Sequence, residues 1–512
     1  MDVVAIHSAS QPDKTALVEG DRALTWGQYG ERRARLANAL LGLGVAPGER
    51  LAVWAPNSIE YLLAGAAAGA IGCVSVPVNH RLTAGEAGYV LGDSDAVAIF
   101  VGDDYLPTAE EVRATGGAPG VRHWILVGQE RRPDALHIDD LISSGDPTPP
   151  AVTLERSGLG GSMIYTAGTT GKPKGALRSD VDPSIALGWL RALDLAEPND
   201  VHLVAGPLYH AAPGAFALLT QVMGGSCVIM RKFNAEEALR LIESRRCTTT
   251  FMAPILLKRI LDLPKERRAR YDVSSMRVVI VGGAPCPNAV KEETLDYFGP
   301  VLYEFYGSSE LGINTILRPE DMLRKPGSCG RAAPGIELAI LDDEGNPVPT
   351  GQPGELHVRR YQGMFEHYHK KPEATAEATR GEWVSVGDVA YLDDEGFVYI
   401  CDRKRDMIIS GGVNIYPAEI EDALHRHPAL ADVAVFGVPD EEWGERVHAA
   451  VLLRPGQEAE PEEIKRFARQ HLADYKVPRE VSFHDDFPRD SAGKMVKRLL
   501  RDPYWAGRDQ KV

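Results

Sequence analysis

Between Tyr165 and Gly175 the chain reads Y-T-A-G-T-T-G-K-P-K-G, placing three glycines, four hydroxyl side chains and two lysines within eleven residues. Glycines let backbone N–H groups approach a phosphate closely, threonine hydroxyls add donors, and lysine adds charge. The chemistry this spacing suggests is the holding of a polyphosphate. It is not a Walker loop, which needs Gly where Thr166 stands and Ser or Thr where Pro173 follows Lys172. Pro173 also disfavours an immediate helix, so the phosphates are expected along an extended loop rather than at a helix N-terminus.

Such a loop needs a frame. From about Ala23 to Gly312, apolar β-branched runs alternate with helix-patterned segments, which predicts a largely parallel, layered α/β body. Leu51–Trp54, Cys73–Val78, Thr248–Met252 and Arg277–Val281 read as strands, and Ser58–Ala70 and Ile255–Leu261 as helices. The run ending at Val281 enters Gly282-Gly283-Ala284-Pro285, a glycine turn at a strand's carboxyl end, where open α/β sheets bind ligands. After Gly335, short alternating strands and turns such as Asp342-Asp343-Glu344-Gly345-Asn346 predict a β-rich subdomain over about 335–400. Beyond Asp402 the pattern changes again: helix Pro417–His425, strands Val433–Phe436 and Val447–Leu453, and helix Pro461–Leu472. The expected organisation is an N-terminal domain over 1–403 and a small, mobile α+β domain over 404–512.

A chain of 512 residues exceeds one hydrophobic core, and 44% hydrophobic with 25% charged residues is an ordinary globular composition. A formal charge of −16 disfavours nucleic acid and anionic membrane as partners. The N-terminus lacks the basic and apolar regions of a leader, and the alanine-rich Tyr61–Val78 stretch, broken by Gly and Pro, reads as a buried helix and strand. Six cysteines without a C-x-x-C pair suggest neither a zinc cage nor a disulfide framework. A cytoplasmic monomer or homodimer with no integral membrane contact is expected.

The 165–175 loop resembles the phosphate loop of the adenylate-forming superfamily, which includes acyl-CoA synthetases, luciferases and the adenylation domains of peptide synthetases. Further elements resemble that superfamily's in the expected order over roughly Pro12 to Leu500. The resemblance implies nucleotide contacts from Thr166, Ala167, Gly168, Thr169, Thr170, Gly171 and Lys174; Ala167 replaces a common serine, a lost donor worth about 1 kcal/mol. Gly283 and Ala284 would join them. Tyr306-Gly307-Ser308-Ser309-Glu310 resembles the Y-G-x-T-E element, with Ser309 in place of threonine. Tyr306 would then face adenine, Ser309 a phosphate, and Glu310 with Thr166 a magnesium ion. Ser308 or Ser309 also reads as the N-cap of a helix. Asp388 resembles the family's ribose-binding carboxylate, Ile400 and Arg403 lie in its ribose and phosphate element, and Arg405 stands where the family carries a hinge Asp or Lys.

Two more segments carry implied roles. Lys494, in F-P-R-D-S-A-G-K-M, resembles the superfamily's near-C-terminal catalytic lysine; Lys174, Arg403 and His210, in G-P-L-Y-H, complete the implied catalytic set. Ala211, Gly214 and Gly282 would border the acyl group, and Gly411, Gly412 and Trp443 the CoA arm. The implied activity is an ATP-dependent carboxylic acid–CoA ligase working through an acyl-adenylate with ATP, Mg²⁺ and CoA. A medium- or long-chain aliphatic or alicyclic acid is expected, with an aryl acid as the alternative and luciferase-like or amino-acid-adenylating chemistry as rivals. No lone cation is evident near the small apolar residues to bind a second carboxylate.

Overall fold

The computed structural model describes residues 2–152, 161–166, 172–178, 181–404, 406–489 and 495–506. Ala167, Gly168, Thr169, Thr170, Gly171, Arg405 and Lys494 lie outside the described residues. The expected layering is present. In a nine-stranded sheet, Leu302–Ser308, Val278–Gly282, Thr249–Met252, Val201–Val204, Ser226–Ile229 and Thr15–Glu19 run parallel in that order. Antiparallel strands close its edges, as Gly312–Leu317 does beside Leu302–Ser308.

An eight-stranded sheet has the same logic: parallel strands including Arg50–Trp54 and Val74–Pro77, then Ser162–Thr166, and finally two antiparallel strands, Lys174–Arg178 and Phe365–Tyr368. Strands buried on both faces need apolar runs rather than alternation, and Val278–Gly282 is buried at every position. Helix Ile59–Ala70 starts where Ser58 accepts the Tyr61 N–H at 3.0 Å, and Pro254 opens helix Pro254–Leu261, where its missing N–H costs nothing. Trp26 and Trp54 are fully buried, each contributing about 1.5–3 kcal/mol or more through apolar burial.

A six-stranded antiparallel sheet occupies the region predicted to be β-rich, from Leu338–Leu341 to Val398–Arg403. One strand of that region, Phe365–Tyr368, leaves it to join the eight-stranded sheet. A five-stranded sheet follows, built on the long pair Leu430–Asp440 and Gly444–Leu453 with helices Pro417–Leu424 and Pro461–His471. The fold is therefore a large mixed α/β body with a smaller C-terminal domain. Among the described residues no helix is long and apolar enough to cross a membrane.

Candidate active site

The phosphate-loop residues Thr166 and Lys174 are direct cross-strand partners in an antiparallel pair. The loop is thus the connection of a hairpin whose two flanks are fixed by register. Tyr89 steadies one flank: its hydroxyl donates to the Pro173 carbonyl at 3.3 Å and its ring lies 5.3 Å from the Lys172 ammonium. On the adjacent strand Tyr368 stands with its ring 5.3 Å from Lys174 Nζ.

Glu310 brings these parts together. Thr166 Oγ1 donates to Glu310 Oε1 at 2.9 Å, and the Tyr368 hydroxyl donates to the same oxygen at 3.0 Å. The Phe365 N–H donates to the Glu310 carbonyl at 2.9 Å, fixing the backbone as well. Oε2 takes no hydrogen bond among the described residues. No cluster of three or more His, Cys, Asp or Glu among them could hold a metal unaided. One carboxylate oxygen and one hydroxyl, with the rest of the shell left to phosphate and water, suit Mg²⁺. Tyr368 carries no motif and was not anticipated from sequence.

The expected helix start at Ser308 or Ser309 is absent. Leu302–Ser308 and Gly312–Leu317 form a hairpin, and Ser308 Oγ accepts the Leu311 N–H at 3.0 Å within its turn. Two glycines decide the matter. Gly312 has φ +73°, and a Cβ on Gly307 would run into the Gly312 carbonyl. The turn holds Glu310 against Thr166 instead of placing it on a first helical turn.

A second group forms beside the first. Asp388 and Arg403 are cross-strand partners, with Arg403 Nε 3.3 Å from Asp388 Oδ1, and the Tyr306 hydroxyl donates to Asp388 Oδ2 at 2.6 Å. Burial, then the Asp388 charge, pushes the Tyr306 phenol well above its ordinary pKa, so it remains a donor. Burial opposes the Arg403 charge, but Asp388, Asp406 and Glu310 outweigh it and raise its pKa. Gly283, Ala284, Gly307, Ser308, Ser309 and Ile400 line the same cavity of about 2760 Å³ as these residues.

His210 precedes helix Ala211–Val222 and lines that cavity with Ala211, Ala212 and Gly214, the Tyr209 and His210 rings lying 4.3 Å apart. Asn57, which sequence reading passed over, fixes their loop. Its amide donates to the Gly206 and Met230 carbonyls at 2.9 and 3.0 Å, and its oxygen accepts the Leu208 N–H at 2.8 Å. Gly282 lines the cavity too, but a Cβ there would stand 2.6 Å from the Phe305 ring, so close ring packing, as well as open space, demands glycine.

Gly411, Gly412 and Trp443 do not line the cavity in this arrangement. They form a surface of the C-terminal domain, where the Gly411 N–H donates to the Trp443 carbonyl at 2.8 Å and the Trp443 side chain is half exposed. Near the expected hinge, Asp402 accepts the Arg403 and Ala418 N–H groups at 2.7 and 3.1 Å, and Lys497 pairs with Glu421 at 2.7 Å. Burial pushes the Asp402 carboxyl up to about 6; Lys497 opposes this and Glu421 and Asp406 reinforce it. A carboxyl raised on folding binds its proton more tightly in the folded chain, so its stabilisation is present at low pH and is lost as pH rises through about 6. Asp402→Asn should therefore flatten the fall in stability between about pH 4 and 6. Parallel urea titrations of both proteins check this; equal slopes would show an unperturbed carboxyl.

Comparison with known proteins identifies a family. The model of the AMP-binding enzyme family matches residues 4–369, and that of the AMP-binding enzyme C-terminal domain matches 419–494. The chain is 34% identical to the long-chain-fatty-acid–CoA ligase FadD13 of Mycobacterium tuberculosis, covering 95% of this chain and 94% of that one. It is also 34% identical, over 95% of each chain, to the 3-[(3aS,4S,7aS)-7a-methyl-1,5-dioxo-octahydro-1H-inden-4-yl]propanoyl:CoA ligase of Rhodococcus jostii (strain RHA1). The crystal structure of the anthranilate CoA ligase AuaEII with anthranoyl-AMP is similar at a TM-score of 0.89 and 28% identity, covering 98% of this chain and 96% of that one.

Proposed function

We infer the reaction from one premise: this chain belongs to the AMP-binding enzyme family. It is an AMP-forming acid–thiol ligase that uses ATP and CoA. The observation that carries the residue assignments is the convergence of two side-chain groups, Thr166–Glu310–Tyr368 and Tyr306–Asp388–Arg403, on one cavity.

In the first half-reaction a substrate carboxylate oxygen bonds to the α-phosphorus and pyrophosphate leaves, giving acyl-AMP. Lys174 and the loop hydroxyls hold the β- and γ-phosphates. Asp388 accepts from the ribose hydroxyls, exchanging its bond from Tyr306, while Arg403 reaches ribose and phosphate. Glu310 and Thr166 would hold Mg²⁺, which shields phosphate charge when bound. His210 borders the reacting carboxylate, and Lys494 supplies a further cation. In the second half-reaction the CoA thiolate bonds to the acyl carbon and AMP leaves. The C-terminal domain turns about Arg405 between them, withdrawing Lys494 and presenting Gly411 and Gly412.

A medium- or long-chain aliphatic or alicyclic acid is the reading of the substrate supported by the small apolar residues beside His210. The named substrates of the relatives range over a long-chain fatty acid, a bicyclic diketo-propanoate and anthranilate, so an aryl acid is the second reading. ATP–pyrophosphate exchange over a panel of carboxylic acids tests the reaction. Exchange should require the acid but not CoA, and CoA should then release AMP. Production of ADP instead of AMP would sink the reading.

A further inference from the structure

The hairpin strand that begins with Lys174 ends at Arg178, and the two share a face of that strand, separated by roughly 13 Å at about 3.3 Å per residue. Arg178 lines the cavity. Its Nε and one terminal nitrogen donate to a single acceptor, the Gly363 carbonyl, at 3.3 and 3.0 Å. Its other terminal nitrogen, Nη1, has no hydrogen-bond partner, and no carboxylate lies within ion-pair distance of the guanidinium, among the described residues. Burial pulls its pKa below the usual arginine value, with Tyr361 and Glu310 only partly offsetting this. Among the described residues such a cation has only the more distant Glu310 charge to offset its burial.

A second donor points to the same conclusion. Trp189, on helix Pro183–Ala192, is 4% exposed and lines the cavity, and its indole Nε1 has no hydrogen-bond partner among the described residues. Its ring lies 6.2 Å from that of Tyr361, and Tyr361 and Arg178 both crowd Gly312: a Cβ there would stand 3.2 Å from an Arg178 terminal nitrogen and in collision with the Tyr361 hydroxyl. The Tyr361 hydroxyl is already spent on the Leu311 carbonyl at 2.6 Å. Around these donors the cavity is lined by Val181, Ala186 and Ile313. A half-buried guanidinium with an unused terminal nitrogen, beside a buried indole N–H without a partner among the described residues, leaves donor capacity for an acceptor in this part of the cavity.

We propose that Arg178 is a specificity-determining residue that binds an acceptor oxygen, ketone or carboxylate, at the end of the substrate acid distal to its reacting carboxyl group. This rests on the ligase reading above and revises the expectation that no lone cation stands near the acid. The alternative of a phosphate ligand is disfavoured by position: Arg178 is at the far end of the strand from the loop, beneath Gly312 rather than beside Thr166.

Cyclohexylpropanoic acid, its ring ketone and its ring carboxylic acid form a matched set that differs only at the distal end. In the wild-type enzyme one or both oxygenated acids should exceed the plain acid in kcat/KM by about 10²–10⁴-fold, because a site built for a hydrogen-bonding group rejects the analogue lacking it. Arg178→Met should bring the three within about threefold while leaving the KM for ATP unchanged. Arg178→Lys should retain the preference for the carboxylate and lose that for the ketone, and keeps the test open if the methionine variant does not fold. A wild-type preference for the plain acid, an equal loss on all three acids in Arg178→Met, or a raised KM for ATP would each overturn the assignment. Exchange that depends on acid but ignores the distal group defeats only this inference; absence of acid-dependent exchange with any acid defeats the ligase reading itself.

Discussion

Glu310→Gln should lower acid-dependent ATP–pyrophosphate exchange by about 10²–10³-fold, the scale seen when one preorganised electrostatic contact is removed from a reacting site. The amide keeps the size of the carboxylate, and its oxygen can still accept from Thr166 and Tyr368, which now donate at 2.9 and 3.0 Å. The fold should therefore persist, with unchanged far-UV circular dichroism, while the charge proposed to hold Mg²⁺ is lost. Raising Mg²⁺ should recover part of the loss, because the deficit is one of ion affinity. Exchange that is unaltered at limiting Mg²⁺ would remove Glu310 from the metal shell.

Lys494→Ala should produce a comparable fall in adenylation, about 10²–10³-fold, and largely spare thioester formation from supplied acyl-AMP and CoA. Lys494 lies outside the described residues, but its flanks Arg489 and Met495 bridge antiparallel to each other. Arg489 in turn pairs with Asp432 of strand Leu430–Asp440, so the flank at Arg489 is held to the C-terminal sheet. A lysine borne on that domain can serve the first half-reaction and be withdrawn for the second. Single-turnover measurements of each half-reaction separate the two; equal losses in both would contradict a turning domain.

Much of the frame was legible because the signals were local. Apolar runs ending in Gly282-Gly283 and the helix-patterned Ser58–Ala70 report on their own surroundings, and the structure places strands and helices there within a few residues. The phosphate-loop composition likewise pointed to Thr166 and Lys174, which the structure pairs across one hairpin. What sequence did not disclose were pairings made across the chain. Tyr368 sits on a short strand with no motif, and only the register of Phe365–Tyr368 against Lys174–Arg178 places it on Glu310. Asn57 precedes the stretch that read as a helix, and nothing local shows that its side chain serves another sheet's loop. Arg178 looked like any charged residue closing a strand. The Ser308-Ser309-Glu310 run was misread as a helix cap because capping residues are also turn residues, and the glycine at 312 settles the choice only when its φ is known.

The late arrival of Phe365–Tyr368 has a consequence for how the enzyme is born. Until the ribosome has released that segment, Lys174–Arg178 is a bare sheet margin and Glu310 lacks its tyrosine, so in a nascent chain the proposed phosphate site would be incomplete. Premature termination before Phe365 would yield a sticky, inert fragment rather than a slower enzyme, and synthesis itself would act as the timer for ATP binding.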